Sequence, residues 1–194
     1  MENKKLTFIT GGVRSGKSRL AEEKAIEKAA QSGGGLHYIA CGQVTDAEMA
    51  ERVRRHQRQR AEGEAAWMTW EQPVQLDKIA SKFSKGDVIL LDCLTTLVTN
   101  EWFLSSGDEQ RWEHPAYHQE VKERVLQEIE ALLATGASVI IVSNELVFEP
   151  LVSALVFYYA KVLGELHQQL VKAAEEAVLV EHGLPQIWKG GGLR

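Results

Sequence analysis

An α/β architecture, a mostly parallel sheet covered by helices, is the fold class this 194-residue sequence predicts. Three observations predict it. Short apolar runs alternate with longer amphipathic stretches along the chain, the pattern of successive strand–helix–strand units. Several of those runs, such as Val88–Leu91 and Val139–Val142, are continuously apolar, as strands buried on both faces must be. A glycine-rich loop, Gly11-Gly12-Val13-Arg14-Ser15-Gly16-Lys17-Ser18, separates the first β-prone run from the first helical one.

The elements follow in order. Strands are expected at Leu6–Thr10, Leu36–Ala40, Val88–Asp92, Ser138–Ser143 and Ala177–Glu181, with a short terminal strand around Gln186–Trp188. Helices are expected at Lys17–Gln31, Asp46–Arg60, Val74–Phe83, Pro115–Ala134 and over part of Pro150–Glu176. Thr45-Asp46-Ala47-Glu48 opens the second helix as a capping box. Gly33-Gly34-Gly35 and Ser84-Lys85-Gly86-Asp87 read as turns, Ser105–His114 as a polar surface loop and Gly190-Gly191-Gly192 as a flexible tail. Neither linker nor repeat divides the chain, so one domain over residues 1–194 is expected.

Composition narrows the class. A hydrophobic fraction of 44% and a charged fraction of 25% are those of a soluble globular protein. No apolar run approaches the roughly 18 residues of a membrane span. Met1–Lys5 leads straight into the first strand with no signal-peptide pattern, and Cys41 and Cys93 have neither disulfide nor metal-ligand spacing. Reduced thiols at strand ends and a cytoplasmic location are expected. The net charge of −5 argues against general nucleic-acid binding, although Arg52, Arg54, Arg55, Arg58 and Arg60 form a local basic cluster.

Gly11–Ser18 spells a complete G-x-x-x-x-G-K-S phosphate loop in its required setting of strand, loop and helix. Its glycines let backbone N–H groups converge on a phosphate, and the following helix adds its positive dipole end. Nucleoside-triphosphate binding follows, with Lys17 reaching the β- and γ-phosphates and the Ser18 hydroxyl offered to Mg²⁺. Val88-Ile89-Leu90-Leu91-Asp92 has the form of a metal-binding strand end, its carboxylate holding Mg²⁺ directly or through water. Ligands of open parallel sheets sit beyond the carboxyl ends of the strands. Gly11–Ser18, Cys41–Gln43, Asp92–Thr95 and Asn144–Glu145 are therefore expected on one rim.

His56 lies among the arginines of the second helix. A histidine on a charged helix is ordinarily a solvated surface residue. Here the guanidinium charges would also keep the imidazole neutral near pH 7, able to attack an α-phosphate and form a covalent nucleotidyl intermediate. Trp67-Met68-Thr69-Trp70-Glu71 is aromatic-rich, with core packing expected for at least one tryptophan.

The phosphate loop, the His56 helix and Asp92-Cys93-Leu94-Thr95-Thr96-Leu97-Val98-Thr99-Asn100 together resemble the bifunctional adenosylcobinamide kinase/adenosylcobinamide-phosphate guanylyltransferases of cobalamin assembly. The likeness extends over Tyr38-Ile39-Ala40, Trp67, Thr69, Glu71, Ser143-Asn144-Glu145, Gly164 and Gln168. It implies a RecA-like P-loop fold, a trimer, and two activities. One phosphorylates the side-chain hydroxyl of adenosylcobinamide with ATP or GTP. The other moves GMP from GTP onto that phosphate. The resemblance places the guanylylated histidine at His56. It places nucleotide contacts at Gly11, Gly12, Val13, Arg14, Ser15, Gly16, Lys17, Ser18, Cys41, Gly42, Gln43, Gln57, Arg58, Gln59, Arg60, Glu71 and Asp92.

One stretch departs from the family pattern. After Ser143-Asn144-Glu145 the family carries two glycines and then a helix with two arginines and an aspartate. This chain has Leu146-Val147-Phe148-Glu149-Pro150-Leu151 and, later, Val156-Phe157-Tyr158-Tyr159-Ala160-Lys161-Val162. A different P-loop small-molecule kinase, or a member that has lost one activity, is the alternative reading. A covalent GMP adduct tells them apart.

Overall fold

The computed structural model describes residues 5–42, 65–103, 111–146 and 153–190. Seven strands form one sheet: β1 (Leu6–Gly11), β2 (Leu36–Ala40), β3 (Trp67–Glu71), β4 (Val88–Asp92), β5 (Ser138–Asn144), β6 (Glu176–Glu181) and β7 (Leu184–Lys189). Their spatial order is β3-β2-β4-β5-β1-β6-β7, parallel throughout except for the β6–β7 hairpin. The described helices are α1 (Lys17–Ser32), α2 (Asp77–Ala80), α3 (Leu94–Phe103), α4 (Pro115–Ala134) and α5 (Ala154–Ala173), with a 3₁₀ turn at Arg111–Glu113.

The uninterrupted apolar runs become two-sided strands. Phe8, Ile39, Ile89, Leu91, Val139 and Ile141 face the core beneath α3, α4 and α5. Ile9, Tyr38, Val88, Leu90, Ile140 and Val142 face the other way, against Ala21 and Ala25 of α1. Adjacent residues of one strand thus serve opposite layers, which the period of two requires. Burying these side chains contributes about 1.5–3 kcal/mol each before chain entropy is counted.

Five of the expected strands and two of the expected helices lie within one residue of their expected bounds. Three elements differ. Trp67–Glu71 is a strand, paired in register with β2 from Leu36↔Trp67 to Ala40↔Glu71. Its aromatic spacing hid the alternation, because Trp67 packs into the α1 layer and Trp70 into the opposite one. Val74–Phe83 is helical only over Asp77–Ala80, since Gln75 has a left-handed backbone (φ 58) that interrupts the helical run. Leu94–Phe103 is a helix although β-branched Thr95, Thr96, Val98 and Thr99 weaken its propensity. Leu94, Leu97, Val98 and Trp102 all point into the core, and that stripe outweighs propensity. The Asp46–Arg60 helix, its capping box and residues 105–110 of the expected loop lie outside the described residues.

Candidate nucleotide site

The carboxyl ends of the parallel strands form the expected rim. Across it run Glu71 (β3), Cys41 (after β2), Asp92 (β4), Asn144 (β5) and Gly11 (β1). Cys41 N–H donates to the Asp92 carbonyl at 3.2 Å, and Glu145 N–H donates to the Gly11 carbonyl at 3.1 Å, so adjacent loops are tied to one another. At about 4.8 Å per strand, Glu71 stands roughly 19 Å from Gly11 along the rim.

The phosphate loop turns between β1 and α1 as its motif demands. A Cβ on Gly11 would lie 2.3 Å from the Val180 carbonyl oxygen and 2.7 Å from Ser15 Oγ, so only glycine fits there. Gly16 has φ 95 and immediately precedes α1, a left-handed turn that glycine adopts without strain. Lys17 is buried, and its Nζ donates to the Gly12 carbonyl at 3.0 Å, folding the ammonium back over the loop. Ser15 Oγ is buried with no hydrogen-bond partner among the described residues. Ser18 is half-buried in the first turn of α1. Gly183 N–H, in the turn of the β6–β7 hairpin, donates to the Ser15 carbonyl at 2.9 Å and braces the loop from outside.

Asp92 is half-buried at the end of β4, where Tyr38 OH donates to its Oδ2 at 3.0 Å. Asn100 of α3 donates to the carbonyls of Cys41 (2.8 Å) and Pro73 (3.0 Å), fixing the loops that follow β2 and β3. Burial pushes the Cys41 thiol well above its ordinary range, and the neighbouring Cys93 and Asp92 push it the same way. Burial likewise raises Cys93, so both free strand-end cysteines favour the protonated thiol.

A second polar group stands on the β5 side of the loop. Thr10 Oγ1 donates to Glu145 Oε1 at 2.6 Å, and His167 Nδ1 of α5 lies 3.4 Å from the same oxygen. His167 Nε2 meets Ser143 Oγ at 2.8 Å, Ser143 Oγ meets Thr95 Oγ1 at 3.2 Å, and Asn144 N–H donates to Thr95 Oγ1 at 2.8 Å. The His167 hydrogen bond and that of Thr10 hold the Glu145 carboxyl below its usual range, against the opposing effect of burial.

Of the site residues expected from sequence, the structure brings Gly11, Gly12, Val13, Arg14, Ser15, Gly16, Lys17, Ser18, Cys41, Gly42, Glu71 and Asp92 to this rim. Gln43, His56, Gln57, Arg58, Gln59 and Arg60 lie outside the described residues.

A family model described as cobinamide kinase / cobinamide phosphate guanyltransferase matches residues 7–187. The chain belongs to that family. It is 36% identical over 186 residues to the bifunctional adenosylcobalamin biosynthesis protein CobU of Escherichia coli (strain K12), covering 92% of this chain and 97% of that one. The CobP protein of the same description from Pseudomonas aeruginosa is 38% identical over 186 residues, covering 94% of this chain and 96% of that one. Among solved structures, the flagellar accessory protein FlaH from Methanocaldococcus jannaschii superposes with a TM-score of 0.52 at 14% identity, covering 97% of this chain and 80% of that one. That likeness concerns the fold alone. In α5, Tyr158 and Tyr159 pack on the core, and Tyr159 OH donates to the Thr95 carbonyl at 2.8 Å.

Sequence reasoning missed Thr10, Asn100, His167 and Gly183 as supports of the rim. Asn100 and Glu145 stood in the motifs of the resemblance, but nothing in sequence spacing brings His167 of α5 beneath Glu145.

Proposed function

We propose that this protein phosphorylates the side-chain hydroxyl of adenosylcobinamide with ATP or GTP, and then transfers GMP from GTP to the resulting phosphate through a His56–GMP intermediate. The observation that carries the reading is a complete phosphate loop, with Lys17 buried inside it, in a chain matched to the family over residues 7–187. Lys17 would exchange the Gly12 carbonyl for phosphate oxygens, and the loop amides would cradle them. Gly11 to Ser18, with Cys41, Gly42 and Gln43, would hold the triphosphate. Gln57, Arg58, Gln59 and Arg60 would neutralise charge moving onto pyrophosphate beside His56. Glu71, four strands from Gly11, suits the ribose or base end of a nucleotide rather than its phosphates.

Asp92 and Ser18 supply a carboxylate and a hydroxyl, the hard oxygen donors that Mg²⁺ accepts alongside nucleotide phosphates. The ion would offset phosphate charge during transfer. Asp92, tethered by Tyr38, and Ser18 would hold it, while Lys17 and the loop amides orient the phosphates for in-line transfer. A homotrimer and a cytoplasmic location complete the reading. No helix among the described residues is long and apolar enough to cross a membrane.

The test is incubation with Mg²⁺ and GTP labelled on the α-phosphate, followed by denaturation. The expected outcome is an acid-labile, alkali-stable label on the wild-type protein and none on His56→Asn, with GTP binding retained in both. Folded, GTP-binding wild-type protein that takes no label would leave a kinase without the guanylyl step.

A further inference from the structure

The rim holds a carboxylate to which the proposed reactions have so far assigned no work. Glu145 follows β5, the strand beside the phosphate-loop strand, and its backbone N–H is bonded to the first residue of the loop, Gly11. Among the described residues at this rim, Asp92 lies one strand further away and is tethered by Tyr38, while Glu71 is four strands away. Both side-chain contacts of Glu145, from Thr10 and from His167, fall on Oε1. Oε2 carries neither contact, and the side chain keeps 20% of its exposure. Among the described residues, this carboxylate is fixed through one oxygen and takes neither of these contacts on the other.

Its support is built rather than incidental. His167 is itself held on two sides, by Ser143 Oγ at 2.8 Å and by the ring of Phe8, edge-on at 5.1 Å between centroids. The network assigns the tautomer: Nδ1–H points at Glu145 and Nε2 accepts from Ser143. Ser143 and Thr10 are buried in adjacent strands, so the carboxylate is positioned from the core of the sheet.

Resting on the proposed kinase activity, we infer that Glu145 is the catalytic base of the phosphorylation step, with His167 as its positioning residue. The acceptor hydroxyl would give its proton to Glu145 Oε2 while its oxygen bonds to the γ-phosphorus. The bond from the γ-phosphorus to the β–γ bridging oxygen breaks, and its electron pair leaves with the nucleoside diphosphate. The proton is then released from Glu145 to water. A carboxylate held ionised is suited to this step, because phosphoryl transfer is loose and the hydroxyl needs orientation and late proton removal rather than a strong base.

The two reactions make the inference separable. The hydroxyl acceptor of the first must lose a proton. The acceptor of the second is a phosphate monoester, already ionised near neutral pH, and needs no base. The experiment measures both rates on the full chain: adenosylcobinamide with ATP and Mg²⁺, and adenosylcobinamide phosphate with GTP and Mg²⁺. Glu145→Gln is expected to lower kcat of phosphorylation on the order of 10²–10⁴-fold, the usual contribution of a positioned base. Guanylyl transfer should change less than threefold, which also reports a folded, nucleotide-binding protein. Glu145→Asp, which keeps the charge but withdraws it by a methylene, should lose at least tenfold in the first reaction only. His167→Leu removes a donor to the carboxylate and should move the acid limb of the phosphorylation pH profile upward, a shift that a merely structural role would not produce.

Phosphorylation by Glu145→Gln within threefold of wild type overturns the inference and leaves the proposed function standing. Equal losses in both reactions overturn it too, since a base serves only the first. Wild-type protein without phosphorylation activity removes the inference together with the kinase reading on which it rests.

Discussion

Glu145 at the rim and Glu128 in the core are both carboxyl groups under the same helical layer, and their surroundings drive them in opposite directions. Glu145 keeps partial exposure and hydrogen-bond donors from Thr10 and His167, which favour the ionised form. Glu128, on α4, is 3% exposed. Burial is the main cause that pushes its carboxyl up to about 8, and the nearby Glu101 adds to it, while the Leu76 N–H at 2.9 Å opposes. Glu101 is itself fully buried and accepts from Arg124 Nη1 at 2.9 Å. Burial beside a second carboxyl favours a proton on Glu128 at neutral pH. Partial exposure and two donors favour the charged form at the rim, whereas burial disfavours it on Glu128 because little there can solvate a charge. Rim variants should therefore change activity more than stability, and the core variant should do the reverse.

The largest effect is expected at Lys17. Lys17→Ala removes a preorganised charge from the phosphate loop and should lower triphosphate turnover on the order of 10²–10³-fold. Steady-state kinetics read the rate, and thermal melting should stay within a few degrees of wild type. An unchanged rate would break the assignment of the rim. Asp92→Asn comes next. It retains an acceptor for Tyr38 OH but loses the charge, and should shift the Mg²⁺ midpoint of activity upward roughly 10–100-fold. A metal titration superimposable on wild type would remove Asp92 from the metal site.

Glu128→Gln is the smallest and runs the other way. The folded chain holds a proton on Glu128 that the unfolded chain releases near 4.5, so stability is full below that pH and declines as pH rises towards 8. Glutamine keeps an acceptor for Leu76 N–H and cannot ionise. At pH 8 the variant should be more stable by about 1–3 kcal/mol, seen as a melting temperature several degrees higher and a flatter dependence on pH. Turnover should stay within threefold. A loss of stability at pH 8 would show that Glu128 is held in its charged form and would erase the contrast with Glu145.

Much of the fold was legible because two-sided strands are written as runs of adjacent apolar residues. Val88–Asp92 and Leu36–Ala40 were expected at their observed bounds for that reason. Trp67–Glu71 escaped because an edge strand of half-buried and exposed residues offers little continuous apolar signal. Leu94–Phe103 escaped because its β-branched residues speak for a strand, while its burial speaks for a helix. The phosphate loop and Asp92 could be read as motifs, since their chemistry depends on local spacing. Glu145 was identifiable as a rim residue, but its partners were not.

By itself the sequence determined the alternating elements, the phosphate loop at Gly11–Ser18 and the acid that ends β4, because each is carried by residues close together in the chain. Tertiary structure alone decided that Gly183 braces Ser15, that Asn100 holds the loops after β2 and β3, and that His167 stands under Glu145. It also decided that the surroundings of Glu145 and Glu128 push their carboxyls in opposite directions. Protonation depends on solvation and on neighbours brought together by sheet order, and neither is written in the local sequence.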